Sequence, residues 1–158
     1  MNPFHKEILV IGYGSTLRGD DAVGRLVVER VSERSLPNVT TISVTQLVPE
    51  LAEQIAKAQA VIFVDACAEN EGCGVEAREI SRLPVVGDVS HTAAPQEILA
   101  LASACFDREP RAWLVAVPST AFELTDGISS MAHLNVQSAT RAVERLIKKL
   151  SKSEVVHA

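Results

Sequence analysis

Two acidic positions and one histidine stand out because each borders a predicted strand or helix. Asp21 closes the stretch ILVIGYGSTLRGDD, Asp65 lies near the end of the apolar run AVIFVDAC, and His91 lies in the loop sequence DVSHTAAPQE. A carboxylate at the end of a buried strand is costly to desolvate unless it is paired, hydrogen-bonded or bound to a metal. Together the three residues would supply two carboxylate oxygens and one imidazole nitrogen, a mixed set that suits Ni, Zn, Fe or Mn.

Each of these residues also has a structural explanation. Asp20 and Asp21 fit the start of a helix, where Asp20 would cap the helix and both charges would complement its dipole. Asp65 fits an acid that caps the turn after its strand, and His91 fits a loop histidine with no ligand role. The sequence leaves open whether the three segments converge.

The glycine turn after the first strand resembles a nucleotide-binding turn but is incomplete. Gly12 and Gly14 begin the pattern G-x-G-x-x-G, yet Leu17 occupies the place of the third glycine, so the close helix–strand approach that this glycine allows is expected to be missing. Two acids at the start of the following helix would also repel a phosphate. The turn therefore favours a cation, with Gly12, Gly14 and Gly19 permitting a tight bend.

Alternating strands and helices predict how these residues are positioned. Apolar runs and hydrophobic periodicity indicate strands at Ile8–Ile11, Val39–Val44, Ala60–Cys67 and Ala112–Val117, an edge strand at Val75–Ile80, and helices from Asp20 to about Arg34 and at Pro49–Ala58, Pro95–Cys105 and Met131–Leu150. This order predicts a three-layer α/β/α fold whose largely parallel, twisted sheet has about five strands and one antiparallel edge strand. Ligands in such sheets bind beyond the carboxyl ends of the strands, where Asp21 and Asp65 fall.

The long final helix is expected to bury one stripe of side chains. That stripe is predicted to contain Leu134, Val143, Leu146, Ile147 and Leu150. Pro49 is expected to occupy the first position of the second helix.

Length, charge and cysteine usage limit the class of protein. The 158 residues predict a single domain spanning 1–158. No apolar run approaches the roughly 18–20 residues of a membrane span, and the N-terminus lacks the features of a secretory signal, so we expect a cytoplasmic protein without a membrane partner. Fifteen basic residues against twenty acidic ones, with no basic cluster outside the last helix, argue against a nucleic-acid partner. Cys67, Cys73 and Cys105 form no C-x-x-C pair and are expected to be reduced.

Three motifs in order resemble those of the hydrogenase maturation endopeptidases, the proteases that trim the C-terminus of the large-subunit precursor of nickel–iron hydrogenases. They are GYGSTLRGDDAVG, VIFVDA and SHTAAPQEIL, and the resemblance runs from Ile8 to about Leu150. Two positions depart from the family pattern: Ser15 stands where the family usually has Asn, and Ala22 where many members have Gly. Ser15 still offers a hydroxyl to the turn.

The resemblance implies a function and a set of roles. It implies that Asp21, Asp65 and His91 are the metal-binding and catalytic residues of a metal-dependent, aspartate-type endopeptidase, and that they engage nickel already inserted in the precursor. The chain is then a monomer, a single peptidase domain whose partner is the hydrogenase large-subunit precursor.

Two alternatives from other classes remain open, and the first of them would use the same residues. One is a non-cleaving checkpoint protein that binds the nickel-loaded precursor, and the other is a small-molecule hydrolase on a related α/β fold. Cys67 is a possible thiol nucleophile, but a cysteine that ends a buried strand is usually small apolar filling. The reaction that the resemblance implies is hydrolysis of one peptide bond, and it uses neither a serine nor a cysteine nucleophile.

Overall fold

Strands and helices alternate along the chain as the sequence predicts. The computed structural model describes residues 7–17, 19–67, 74–84, 93–119 and 127–156. In these ranges the elements are β1 (Ile8–Tyr13), α1 (Val23–Glu33), β2 (Val39–Val44), α2 (Leu51–Lys57), β3 (Ala60–Cys67), β4 (Glu76–Ile80), α3 (Pro95–Phe106), β5 (Arg111–Pro118) and α4 (Ser130–Val156). His91 and Cys73 lie outside the described residues.

The five strands form one mixed sheet in the order β2-β1-β3-β5-β4. β1 pairs with β2 and β3 in parallel, β3 pairs with β5 in parallel, and β4 pairs with β5 antiparallel at the edge of the sheet. The predicted fold class is therefore confirmed. The carboxyl ends of the four parallel strands share one edge of the sheet, here called the carboxyl edge, and their first residues share the opposite amino edge.

Helices cover both faces of this sheet. Alternate residues of β1 enter two separate apolar clusters: Ile8 and Val10 pack on the face covered by α1 and α4, whereas Leu9 and Ile11 pack on the face covered by α2 and α3. Strands buried on both faces read as continuous apolar runs, which explains why β1 and β3 were recognisable in the sequence. None of the described helices combines the length and apolar character that a membrane span requires.

The buried stripe of α4 differs from the prediction at one residue. Val143, Leu146, Ile147 and Leu150 are buried as expected, but Leu134 is 65% exposed. The stripe continues toward the start of the helix through residues three or four positions apart, namely Ala132, Val136 and Ala139. Leu134 falls between two of these positions and therefore faces outward.

Two helix starts also differ from the predictions. The first helix was expected from Asp20, but a 3-10 turn occupies Gly19–Ala22 and α1 begins at Val23. The second was expected to begin at Pro49, but α2 begins at Leu51 and Pro49 lies in the preceding turn, where its carbonyl accepts a hydrogen bond from the Ala52 N–H.

α1 approaches the sheet closely, although Leu17 replaces the third glycine of the turn. A Cβ atom at Gly12 would lie 2.2 Å from the Gly24 carbonyl oxygen, and a Cβ atom at Gly24 would lie 2.3 Å from the Val64 carbonyl oxygen. The expectation that the close approach is missing was therefore wrong. Gly24, inside α1, makes the contact that Leu17 does not allow.

Candidate functional site

The turn after β1 folds back so that Asp21 reaches its start. Gly14 has φ +143°, and a Cβ atom there would lie 1.8 Å from the Asp21 carbonyl oxygen. The Ser15 N–H donates a hydrogen bond of 2.6 Å to Asp21 Oδ2, and the Ser15 hydroxyl accepts one of 3.2 Å from the Leu17 N–H. Glycine is thus required at position 14, and the serine found in place of the family's Asn still serves the turn. These contacts hold the Asp21 carboxylate at the carboxyl edge.

Asp20 is fully buried and ties this turn to the start of α4. Its carboxylate accepts hydrogen bonds from the Ser129 N–H at 2.7 Å and from the Ser129 hydroxyl at 2.8 Å. The Ser129 hydroxyl in turn accepts a bond from the Ala132 N–H, in the manner of a helix N-cap. The prediction that Asp20 caps the first helix was wrong, because Ala22 occupies that position and makes no side-chain cap.

Asp65 and Tyr13 are neighbours on adjacent strands. The pair Gly12 and Val64 is the last in the register of β1 against β3, and Tyr13 and Asp65 are the next residues along each strand. The two side chains lie on the face covered by α2 and α3. The Tyr13 hydroxyl lies near enough to the Asp65 carboxylate to lower the pKa of Asp65 as a hydrogen-bond donor. Asp65 Oδ1 also accepts a bond of 2.8 Å from the Ala66 N–H.

The electrostatics show that Asp21 and Asp65 are close enough to interact. The pKa of Asp65 is raised from 3.8 to about 6, chiefly by burial. The Ala66 N–H and the Tyr13 hydroxyl oppose this rise, and the charge of Asp21 contributes to it. Burial, followed by the charges of Asp65 and Asp21, raises the pKa of the Tyr13 phenol. In the part of the chain that the structure describes, no ion pair joins Asp21 or Asp65 to a lysine or arginine.

Two of the three predicted site residues, Asp21 and Asp65, thus lie at the carboxyl edge and interact electrostatically. His91 lies outside the described residues, so its placement stays a prediction. The chain is described again from Ala93, whose N–H donates a 3.4 Å hydrogen bond to the carbonyl of Leu47 on the face of the sheet that carries Asp65. Within the described ranges, no group of three histidine, cysteine or acidic side chains is arranged to hold a metal ion.

Cys67 follows Asp65 by two residues and is a half-buried free thiol. Its carbonyl accepts a 2.8 Å hydrogen bond from the Ser119 N–H, which joins the ends of β3 and β5. Its position at the end of β3 agrees with the structural interpretation of this residue. Cys105 is also free, and it is exposed near the end of α3.

Tyr13 is a candidate site residue that the sequence prediction missed. The signal was present in the alternation of β1 and β3, since Tyr13 continues the series of Leu9 and Ile11, and Asp65 continues that of Val61 and Phe63. Both series face the same side of the sheet. The relative register of the two strands, which local sequence does not contain, makes the last members neighbours.

Two cavities lie at the opposite, amino edge of the sheet, and neither Asp21 nor Asp65 lines them. One of about 460 Å³ lies beside the start of β5 and is lined by charged residues that include Glu79, Arg82, Glu109 and Arg111. The other, of about 490 Å³, lies between the end of α1 and α4 and is lined by Leu36, Pro37 and Ile147 with charged residues around them.

The fold is shared with several solved structures of proteins that mature hydrogenases. No protein-family model matches the chain, and no curated protein is similar to it in sequence. The hydrogenase maturating endopeptidase HybD from E. coli is 20% identical, with a TM-score of 0.69 over 90% of this chain and 93% of that one. The [NiFe] hydrogenase maturation protease HybD from Thermococcus kodakarensis is 17% identical, with a TM-score of 0.71 over 89% and 99%. The protease HycI from T. kodakarensis KOD1 is 23% identical, with a TM-score of 0.68 over 90% and 93%. The TM-scores establish a common fold, and at identities this low they establish the fold alone.

Proposed function

We propose that this protein is a hydrogenase maturation endopeptidase that removes the C-terminal extension from the nickel-loaded large-subunit precursor of a nickel–iron hydrogenase. The observation that carries the proposal is the placement of Asp21 and Asp65, which interact electrostatically, at the carboxyl edge of a fold shared with hydrogenase maturation proteases. The sequence motifs around the two acids support the same family. A shared fold alone would leave the function open, because one fold serves many activities.

The two acids are suited to bind a cation that arrives with the substrate. Both carboxylates lie at the edge where ligands of parallel sheets bind, and the raised pKa of Asp65 shows that its negative charge is poorly compensated in the protein alone. A bound cation would compensate it. With the imidazole of His91 the set would have two oxygens and one nitrogen, a combination that suits nickel better than an all-thiolate site would.

In this proposal Asp21, Asp65 and His91 bind the substrate's nickel. This binding verifies that the metal has been inserted and positions the scissile peptide bond. The nickel supplies positive charge that polarises a carbonyl or a water molecule. A carboxylate released from the metal accepts the proton of the attacking water, and a pKa of about 6 for Asp65 leaves it able to do so near neutral pH.

The test is to incubate the protein with nickel-loaded and nickel-free precursor and to measure the mass of the large subunit. The proposal expects a single cleavage near the C-terminus of the nickel-loaded precursor and none of the nickel-free one. Asp21→Asn serves as the inactive control. A precursor that is bound but keeps its full mass would show a checkpoint protein instead of a protease. Cleavage of both precursors alike would contradict the nickel-recognition part of the proposal.

A further inference from the structure

Tyr13 stands beside both predicted acidic ligands, but the function proposed above gives it no role. It is the last residue of β1, where it pairs with Val44 of β2. Its side chain lies next to that of Asp65 on the same face of the sheet, where its hydroxyl lowers the pKa of Asp65 as a hydrogen-bond donor and the charges of Asp65 and Asp21 act on it. The phenol is therefore part of the same electrostatic environment as the two acids.

The backbone of Tyr13 is fixed from two directions. On one side it pairs with β2, and the following Gly14 N–H donates to the carbonyls of Val44 and Thr45 at 3.2 and 3.1 Å. On the other side α1 packs so closely that a Cβ atom at Gly24 would lie 3.0 Å from the Tyr13 carbonyl oxygen. The Cα–Cβ direction of Tyr13 is thus set by the sheet and by α1.

The ring of Tyr13 is fixed by packing on the apolar layer beneath α2 and α3. An aromatic side chain has only two rotatable bonds, and tyrosine commonly places its ring in an apolar environment and its hydroxyl at a polar boundary. The apolar layer holds the ring while Asp65 accepts from the hydroxyl. The position of the hydroxyl beside Asp65 is therefore set by the packing of the ring.

We infer that Tyr13 is a positioning residue that holds the Asp65 carboxylate in one orientation beside Asp21, ready to bind the substrate's metal. The inference rests on the proposed function, because that function makes Asp65 a metal ligand. Asp65 receives the Ala66 N–H at Oδ1 and the Tyr13 hydroxyl as a second donor. Two donors from different strands restrict rotation of a carboxylate more than one donor does, and such outer partners orient metal-binding groups.

The competing explanation is that Tyr13 serves only to pack the apolar layer. Tyr13→Phe separates the two, because it keeps the ring and removes only the hydroxyl. Tyr13→Leu removes both and measures the contribution of the ring. Thr140→Val is the matched control, since it also deletes a buried hydroxyl, one that donates a 2.7 Å hydrogen bond to the Val136 carbonyl within α4.

The experiment compares Ni²⁺ affinity, measured by calorimetry on the purified proteins, with crystal structures of the metal-free proteins. Loss of an outer partner of a metal ligand typically weakens binding about 10- to 100-fold, and we expect a decrease in that range for Tyr13→Phe and no change for Thr140→Val. The Asp65 carboxylate should be rotated in Tyr13→Phe. An unchanged affinity together with an unchanged Asp65 orientation would overturn the inference.

The outcomes separate this inference from the proposed function. If the wild-type protein leaves nickel-loaded precursor at full mass, the proposed function fails, but the affinity and the Asp65 orientation still decide the role of Tyr13. If the wild-type protein binds Ni²⁺ too weakly to measure without precursor, the crystal structures decide alone. A carboxylate that keeps its orientation in Tyr13→Phe then refutes the positioning role, and a rotated one supports it.

Discussion

Acidic residues lie at both the carboxyl and the amino edge of the sheet, but their negative charges are compensated differently at the two edges. At the amino edge Glu79 is paired with Arg111 at 3.0 Å and Glu109 is paired with Arg82. These pairs hold the pKa of each glutamate below its usual value. At the carboxyl edge burial raises the pKa of Asp65 to about 6.

This contrast distinguishes surface charge from a prepared site. The charges at the amino edge neutralise one another, so the polar cavity there needs no ligand to be stable. At the carboxyl edge, Asp21 and Asp65 are held close together, and their partners in the described residues are N–H and O–H donors. Like charges held in this way favour a cation from outside, which makes charge balance a better guide to this site than cavity size.

The largest effect should come from removing the acids of the carboxyl edge. Asp21→Asn and Asp65→Asn are expected to reduce cleavage of nickel-loaded precursor by more than the roughly 100-fold that loss of an outer partner can cost, because each removes a ligand. Glu79→Gln, at the amino edge, is the matched control and should cleave at the wild-type rate. The rates are measured by following precursor mass over time. Normal processing by both aspartate variants would end the assignment of the site.

A second test disrupts the turn that holds Asp21. Gly14→Ala should lower the free energy of unfolding by about 2–4 kcal/mol, because the new Cβ atom would meet the Asp21 carbonyl and the residue has a positive φ. Gly74→Ala is the control, since its Cβ atom would enter open space. Denaturant unfolding of both variants gives the comparison. Equal stability of the two would show that the turn does not need the close contact.

A third test weakens the link between the turn and α4. Ser129→Ala should lower the free energy of unfolding by about 1–3 kcal/mol, because it removes both a helix cap and a hydroxyl donor to the buried Asp20. Ser151→Ala, on the same helix, removes only a bond to the Ile147 carbonyl and should change stability little. Thermal and denaturant unfolding measure both. A loss for Ser129→Ala no greater than for Ser151→Ala would contradict the role given to Asp20.

The smallest effect is a difference in pH dependence between the two edges. Because the folded-state pKa of Asp65 lies above its unfolded value of 3.8, the folded protein binds the proton more tightly, and stability is lost as pH rises toward about 6. Asp65→Asn should not show this loss. As the pH rises from about 4 to about 7.5, its free energy of unfolding should increase by about 1–2 kcal/mol relative to that of the wild type.

Glu79 should respond with the opposite sign. Because the pKa of Glu79 is lowered in the folded protein, its charge stabilises the fold above the usual titration range of a glutamate, and this stabilisation is lost on acidification. Glu79→Gln should therefore be slightly less stable than wild type near neutral pH. Because the pair is exposed, the change should stay within about 0.5 kcal/mol. Denaturant unfolding at the two pH values measures both variants. A shift of the same sign for both would remove the electrostatic contrast between the edges.

Local sequence was sufficient for most of the fold. β2 and β3 occupy the predicted ranges, because β-branched residues favour strands and the continuous apolar run of β3 favours a buried one. β1 was predicted to end at Ile11 because Gly12 was assigned to the turn, whereas the strand continues to Tyr13. Gly12 serves the packing of α1 instead, and the shorter strand hid the phenol that contacts Asp65.

The parts of the site that escaped prediction depend on contacts between distant segments. Asp20 was expected to cap a nearby helix, but its partner Ser129 lies 109 residues away. The contact of Tyr13 with Asp65 likewise depends on how β1 and β3 are registered. By contrast, the sequence was sufficient to predict that Asp21, in the turn after β1, and Asp65, near the end of β3, lie at one edge of the sheet. The topology of a parallel sheet brings such strand ends together. The place of His91, the monomeric state and the cytoplasmic location stay predictions.

The most direct test of the cation site is a crystal structure of the protein with Ni²⁺, located by its anomalous scattering. We expect one metal ion at the carboxyl edge, bound by Asp21, Asp65 and His91 with ligand distances of about 2.0–2.2 Å, the range that imidazole and carboxylate groups show for a similar divalent metal. A nickel ion bound at the amino edge, or a His91 imidazole directed away from the two carboxylates, would contradict it.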